Sequence, residues 1–358
     1  MTELLHTADE SLLRRLLLSP LVPLEGLFGA AAALRRSHWR DKQQRAPIPV
    51  ISVGNLAVGG AGKTPITLVV AQRLLARGRK VAILSRGYGG RGSGARFVSR
   101  EGTLLLDAAD AGDEPVLMAR RLPEVQVLVG PRRVELARLA AEAGADVALL
   151  DDGFQHLQLA RDLDIVVLDG ASPFGNGRLL PRGPLREKPE ALSRAGLGWI
   201  SKVDEGDPKT VELVAEEILR RTGREAMRSR YVPTELLSPD LRSARDLAAL
   251  EGLPVLLLAG IARPGSFRRT LERIGAKVVG ESLFADHHAF DARELDAVFA
   301  RARAAGAALV VCTEKDAIRL PPLPADAPIA ALRVDTEIVS GSERLDEALD
   351  RALGGSRA

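Results

Sequence analysis

Apolar residues fall in short unbroken runs that alternate with stretches of helical spacing. The runs Pro49–Val53, Val81–Leu84, Val125–Val129, Val147–Leu150 and Ile165–Leu168 are rich in Val, Ile and Leu and do not alternate with polar positions. Strands of that kind are buried on both faces, as in a parallel sheet covered by helices. Helical spacing begins near Lys63, Glu114 and Arg132. A second series follows, with strands Pro254–Ala259, Lys277–Val279, Ala308–Cys312 and Ile329–Val334 and helices near Ser266–Arg273 and Ala292–Arg303. The alternation predicts an α/β fold with right-handed crossovers: a doubly wound, mainly parallel sheet with a second, smaller α/β lobe. Arg228–Leu253 is polar and less regular and reads as the connection. The expected division is 1–45 as an N-terminal amphipathic segment, 46–230 as the first lobe, 231–253 as the connection, and 254–358 as the second lobe with a C-terminal helix. The closing GGSRA is expected to fray.

The N-terminal stretch departs from this scheme. Leu16–Leu34 is mostly apolar, but Pro20, Pro23 and Glu25 interrupt it. A spanning helix wants about 20 clean apolar residues, so a transmembrane segment is not expected. A signal peptide is not expected either, because no small-residue cleavage site precedes a mature domain. Residues 11–45 hold seven basic side chains (Arg14, Arg15, Arg35, Arg36, Arg40, Lys42, Arg45) against two acidic ones, Glu25 and Asp41. Apolar positions flanked by arginines suit a helix lying reversibly in the headgroup region of an anionic leaflet, with Trp39 at the interface. A helix packed on the protein's own core would give the same pattern.

Composition narrows the classes. Of 358 residues, 46% are apolar and 27% charged, which excludes fibrous and wholly disordered chains. Basic and acidic residues nearly cancel at 50 and 47, and aromatics are 3%, so no nucleic-acid partner is expected. The single cysteine, Cys312, excludes an internal disulfide and a Cys-rich zinc site and suits a reducing cytoplasm.

The strongest chemical feature is VISVGNLAVGGAGKTP at 50–65. An apolar strand runs into a Gly-rich turn and then a helix. Glycines let consecutive backbone N–H groups converge on phosphate oxygens, and the helix N-terminus adds positive potential. Gly59, Gly60, Ala61, Gly62, Lys63, Thr64 and Pro65 would form the nucleotide-binding turn. Lys63 would bridge the β- and γ-phosphates, and Thr64 would hold Mg²⁺. The strict pattern has a further glycine where this chain has Ala57.

Other segments sit at strand ends or in loops. Asp151 and Asp152 directly follow Val147–Leu150, where P-loop enzymes hold Mg²⁺. Asp113 and Glu114 precede a helix; they are either its cap or a general base for an acceptor hydroxyl. LSRGYGGR and RLLPRGPLRE, the latter with Arg178, Arg182 and Arg186, look like loops at an anionic substrate. His287 and His288 are adjacent, which disfavours one shared metal ion; an orienting or acid–base role is open, as is a plain helix-entry turn. Lys315 and Asp316 would either help place a nucleotide base or simply start a helix.

Taken in order, VGNLAVGGAGKTP, LSRGYGG, GDEP, LDDGFQH, LLPRGPLRE, FADHHAF and CTEKDA resemble the tetraacyldisaccharide 4′-kinases, the membrane-associated lipid A kinases of Gram-negative bacteria. The resemblance spans about residues 10–335, and the combination is specific where each motif alone is not. The family often lacks the glycine replaced here by Ala57. The resemblance implies transfer of the γ-phosphate of ATP, with Mg²⁺, to the 4′-hydroxyl of an acylated glucosamine disaccharide 1-phosphate. It implies Asp113 as base, oriented by His287 from the second lobe, so that closure would assemble the base and exclude water. Lys63 and Thr64 match the phosphate-loop lysine and metal ligand, and Asp151 and Asp152 match a metal-associated acidic pair. Gln155, Arg186 and Glu187 fall on further positions near phosphates or substrate. The implied setting is the cytoplasmic face of the inner membrane, on its anionic leaflet, with the enzyme a monomer. A membrane-associated P-loop ATPase or GTPase switch shares the phosphate loop and the N-terminus but leaves RLLPRGPLRE and His287 unexplained. A nucleotide-binding scaffold without catalysis is the third reading.

Overall fold

A computed structural model describes residues 18–324 and 326–354. Arg14, Arg15 and the last four residues of the frayed-tail expectation lie outside the described residues. The chain begins with helix α1 (Val22–Trp39), then β1 (Val50–Asn55), α2 (Lys63–Leu75) and β2 (Val81–Ser85). An edge pair, β3 (Arg96–Arg100) and β4 (Thr103–Leu104), precedes α3 (Ala108–Ala111) and α4 (Asp113–Arg121). Next come β5 (Gln126–Val129), α5 (Arg133–Glu142), β6 (Val147–Asp151), β7 (Leu163–Asp169), β8 (Leu197–Ser201) and α6 (Pro208–Thr222). Strand β9 (Met227–Leu237) and the short β10 (Ala244–Arg245) lead to β11 (Pro254–Ala259), α7 (Pro264–Arg273), β12 (Lys277–Leu283) and α8 (Ala292–Ala304). The chain closes with β13 (Leu309–Thr313), α9 (Glu314–Ala317), β14 (Ile329–Ser340) and α10 (Ser342–Gly354).

All these strands join one sheet in the order β12-β11-β13-β14-β9-β8-β7-β1-β6-β2-β5-β3-β4, with β10 on β9. Alternate side chains of each central strand go to opposite faces, and both faces are covered. Ile51 and Val53 point into the core beneath α2 and α4, while Val50 and Leu84 face α5. In the second half, Leu256 and Leu258 pack under α8 while Val255 and Leu257 pack under α7. Helix α8 starts at a capping box, Asp291 with Glu294, that satisfies two orphan N–H groups reciprocally.

The two halves meet along an antiparallel ribbon. β14 pairs with β9 from Ala331↔Leu237 to Ser340↔Arg228. The first half attaches only to the start of β9, through β8 (Trp199↔Met227, Ile200↔Arg228). The second half attaches to the start of β14, through β13 (Val310↔Ile329 to Thr313↔Leu332). Each half therefore hangs from the beginning of one antiparallel strand and points along it toward the other half. The offset turns the carboxyl ends of both sets of parallel strands toward one another, and such ends are where α/β sheets bind ligands.

Three features differ from the sequence expectations. The connection expected at Arg228–Leu253 opens with β9, whose middle is only half-buried and so shows no apolar run. β8 was not anticipated, although Leu197–Ser201 is entirely buried. Helix α10, grouped by sequence with the second lobe, packs on the first half instead: Leu345, Ala348 and Leu349 join the core of Ile51 and Ile66. Arg73 on α2 and Arg77 just beyond its end pair with Asp346 and Asp350 to hold it there.

Helix α1 rests on the first half through Phe28 and is tethered at Glu25 by Arg182 and by the Leu179 N–H, and at Arg36 by Glu187. Its opposite face carries Leu24, Leu27, Ala31 and Leu34, spaced along one helical stripe and exposed. No helix among the described residues is long and apolar enough to cross a membrane.

Candidate active site

β1 ends in the Gly-rich turn, and α2 begins at Lys63 with Gly62 as its N-cap. Gly62 has φ +80°, a left-handed conformation that favours glycine. A Cβ there would also fall inside the contact distance of the Tyr231 hydroxyl. Thr64 and Pro65 occupy the first helical turn, where the missing N–H of proline costs nothing. The carbonyls of the turn face away from the helix mouth and are held from β8: Ser201 Oγ donates to Ala61 O at 2.8 Å, and Lys202 Nζ to Gly60 O at 2.7 Å. Lys202 is itself fixed by the buried Asp169 at 3.0 Å, which also takes Arg263 of the second half at 2.9 Å. The Ala61 N–H donates within the turn to Gly59 O at 3.0 Å, which leaves the neighbouring N–H groups for an anion.

Asp151 and Asp152 end β6 beside the turn. Asp151 is buried and accepts from Thr67 Oγ1 at 3.2 Å and Ser85 Oγ at 3.4 Å. Burial, with Glu114 and Asp152 nearby, pushes its carboxyl up to about 7. Asp152 differs: burial opposes its charge, but Lys63 at 3.6 Å and Arg186, bonded to both carboxylate oxygens at 2.9 Å, hold it below the usual range. Arg186 also donates to Gln155 Oε1 at 3.3 Å, and Gln155 Nε2 donates to Asn55 O at 2.9 Å and to Glu187 Oε1 at 3.2 Å. Glu187 is 4% exposed and clamped by Arg36 and Arg194. Sequence reading put the RLLPRGPLRE arginines at an anionic substrate; here Arg182 and Arg186 first serve internal carboxylates.

Asp151 and Asp152 offer hard oxygen donors of the kind a divalent cation takes, but among the described residues no three acidic, His or Cys side chains are grouped to hold one. Burial first, and then repulsion from Glu114 and Asp152, favours the protonated form of Asp151. Added positive charge relieves that repulsion, and the Thr64 hydroxyl supplies a further oxygen of the hard type Mg²⁺ takes.

The second cluster spans the two halves. Gly112, φ +88°, lets the start of α4 press against the Tyr88 carbonyl, where any Cβ would clash. Asp113 follows as the first residue of α4 rather than as its cap, with Oδ1 accepting the Glu114 N–H at 2.9 Å. From the second half, the loop after β12 brings His287 Nδ1 to 3.0 Å from Asp113 Oδ2. His287 has φ +62°, an uncommon conformation for such a residue and one that clusters at functional sites. Burial works against the Asp113 charge, but His287, Lys315 and Arg319 hold its carboxyl below the usual range. The hydrogen bond that His287 gives to the Asp113 carboxylate raises His287. His288 points elsewhere, bonded to Glu294 at 2.9 Å and stacked on Phe284. Asp316 is structural, accepting from the Thr313 hydroxyl, the Gly260 N–H and Arg319.

This arrangement can be set beside known proteins. The family model for tetraacyldisaccharide-1-P 4′-kinase matches residues 17–354. A tetraacyldisaccharide 4′-kinase of Anaeromyxobacter sp. strain Fw109-5 is 54% identical over 342 residues, covering 94% of this chain and 92% of that one. One from Parvibaculum lavamentivorans is 40% identical over 344 residues, covering 93% of each. A crystal structure of LpxK from Aquifex aeolicus in complex with ATP superposes with TM-score 0.75 at 31% identity, covering 94% of this chain and 99% of that one.

The chain belongs to the tetraacyldisaccharide-1-phosphate 4′-kinase family.

Within this kinase family member, the seven motif segments gather on the facing edges of the two halves. Four functional side chains escaped the sequence reading or were misplaced by it. Ser201 and Lys202 follow the apolar run of β8, so the strand-end rule that found Asp151 would have found them. Asp169, at the end of β7, was open to the same rule. Lys315, weighed as an aid to base binding or as part of a helix start, lies in α9 and also faces Asp113 and His287.

Proposed function

We propose that this kinase transfers the γ-phosphate of ATP to the 4′-hydroxyl of a tetraacylated glucosamine disaccharide 1-phosphate, giving the 1,4′-bisphosphate lipid. The observation that carries the reading is the 3.0 Å pair of Asp113 and His287, built from both halves on the edge that also holds the phosphate loop. The Lys63 side chain and the backbone N–H groups of Gly60, Gly62 and Lys63 receive the phosphates. Asp113, ionised, takes the proton of the acceptor hydroxyl while that oxygen bonds to the γ-phosphorus. The bond from that phosphorus to the β,γ-bridging oxygen breaks, and ADP leaves. His287 orients the Asp113 carboxylate. Thr64, Asp151 and Asp152 would hold Mg²⁺, whose contribution when bound is neutralisation of phosphate charge. Gln155, Arg186 and Glu187 form the chain of contacts that fixes Asp152 beside this charge.

The acceptor is an acylated anion, and a groove of about 1200 Å³ between α1 and residues 178–194 has matching chemistry. Small residues of α1, Gly26, Gly29, Ala30 and Ala33, line one wall, and Arg161, Arg178, Arg182 and Arg194 line the other. With Leu24, Leu27 and Leu34 exposed on the outer face of α1, the enzyme works as a peripheral protein on an anionic leaflet, at the cytoplasmic face of the inner membrane.

The test is transfer of radiolabelled γ-phosphate to the monophosphorylated disaccharide in mixed micelles with Mg²⁺. Labelled lipid is expected, lost with Lys63→Ala and reduced about 10²–10⁴-fold with a folded Asp113→Ala. Label found only as free phosphate would favour a nucleotide switch and overturn the kinase reading.

A further inference from the structure

Lys315, at the start of α9, meets both halves at once. Its Nζ lies 3.4 Å from His287 Nε2, 3.7 Å from Asp113 Oδ2, 3.5 Å from Glu114 Oε1 and 3.8 Å from Asp286 Oδ1. Three carboxylates from two elements thus hold the ammonium against the far side of the imidazole. An ammonium has donors only. Facing a ring nitrogen at that distance it can only donate, so Nε2 must offer its lone pair. The one proton of a neutral imidazole is then on Nδ1, the nitrogen that faces Asp113.

We propose that Lys315 is a positioning residue: its ammonium donates to His287 Nε2 and holds the ring as the neutral imidazole whose Nδ1–H donates to Asp113. The proposal rests on the reading of Asp113 as base. The other states of the ring fit the geometry poorly. An Nε2–H tautomer sets donor against donor at Lys315 and lone pair against carboxylate at Asp113. An imidazolium sets two cations 3.4 Å apart, and that repulsion works against the hydrogen bond to Asp113, which by itself favours the charged ring. The distinction matters for the base, because a neutral donor leaves Asp113 more basic than a fixed imidazolium would. The remaining groups facing His287 are Asp286 on its own loop, Glu114 on α4 and the Tyr88 ring at 5.9 Å; Arg319 stands behind Asp113 at 3.7 Å.

The experiment combines imidazole nitrogen NMR with the pH profile of transfer from γ-labelled ATP to the disaccharide 1-phosphate, on the full chain. In the parent, His287 is expected as the Nδ1–H neutral form at slightly alkaline pH. In Lys315→Met its protonation midpoint should rise by about one pH unit. kcat should then fall roughly tenfold near neutral pH and recover as pH rises past the new midpoint, with KM little changed. Lys315→Arg keeps a donor and should restore both readouts. An unmoved midpoint in Lys315→Met, a parent ring with its proton on Nε2, or a rate loss equal at every pH would each overturn the proposal. Failure of the base reading is separate: it would show as undiminished transfer in Asp113→Asn, whatever the state of His287.

Discussion

Alanine at position 62 tests the fit between the phosphate loop and the ribbon strand that carries Tyr231. Gly62 is left-handed, with φ +80°, and forcing an L-residue into that region costs roughly 1–2 kcal/mol. The new Cβ would also stand 3.2 Å from Tyr231 Cζ and closer still to the hydroxyl. Overpacking a site this well filled costs roughly another 1–3 kcal/mol. Gly62→Ala should therefore destabilise the first half by about 2–5 kcal/mol. Tyr231→Phe removes the crowding atom, and Tyr231 Oη has no hydrogen-bond partner among the described residues. Alone it should be near neutral, since no hydrogen bond is lost. The double variant should recover the overpacking share and retain the left-handed cost, a coupling of at least about 1 kcal/mol. Urea unfolding followed by fluorescence of Trp199, buried on β8 beside the ribbon, reads all three. Additivity within about 0.5 kcal/mol would refute the steric reasoning.

Three further outcomes follow from geometry already described. Burial, with Arg133 and Arg161 nearby, lowers His156 to about 4. An unfolded histidine protonates near 6.5, so the folded state binds fewer protons across that window and stability falls as pH drops through it. Because it cannot titrate, His156→Gln should lose up to about 2 kcal/mol less than the parent between about pH 7.5 and about pH 5, and equal losses would contradict this. Leu349→Ala, at a fully buried site on α10, should cost about 2–5 kcal/mol and move the Trp199 transition; an unmoved Trp199 signal would mean that α10 does not belong to that core. Leu27→Asp with Leu34→Asp, at positions 67% and 71% exposed, should weaken sedimentation with anionic vesicles several-fold and leave thermal stability unchanged. Undiminished vesicle binding would remove the exposed stripe of α1 as the membrane contact.

The central strands and the phosphate loop were legible because their signals are local. Val50–Val53 is an apolar run broken only by Ser52, and the glycines and Lys63 follow the strand within a few residues. Asp151 and Asp152 were legible for the same reason. The pairing of Asp113 with His287 joins residues 174 positions apart, so no local physics could reveal it; the order of motifs supplied it through resemblance. β9 and the far end of β14 were harder, because ribbon strands half-open to solvent lack the apolar run that marked the start of β14 at Ile329–Val334. The roles of Arg182 and Arg186 were misjudged in degree. Counting basic residues in a loop cannot show that Glu25 and Asp152 wait beside them.

The docking of α10 on the first half bears on synthesis. Leu345 and Leu349 complete a core whose other members, from Ile51 to Trp199, leave the ribosome far earlier. At roughly 5–20 residues per second, the interval between Ile66 and Leu349 is on the order of tens of seconds. Through that interval the nascent first half displays an apolar patch that only the end of its own chain can cover. A transcript truncated before Ser342 would leave the patch open for good, and such a product is a target for chaperone capture and proteolysis even though every motif of the active site is present in it.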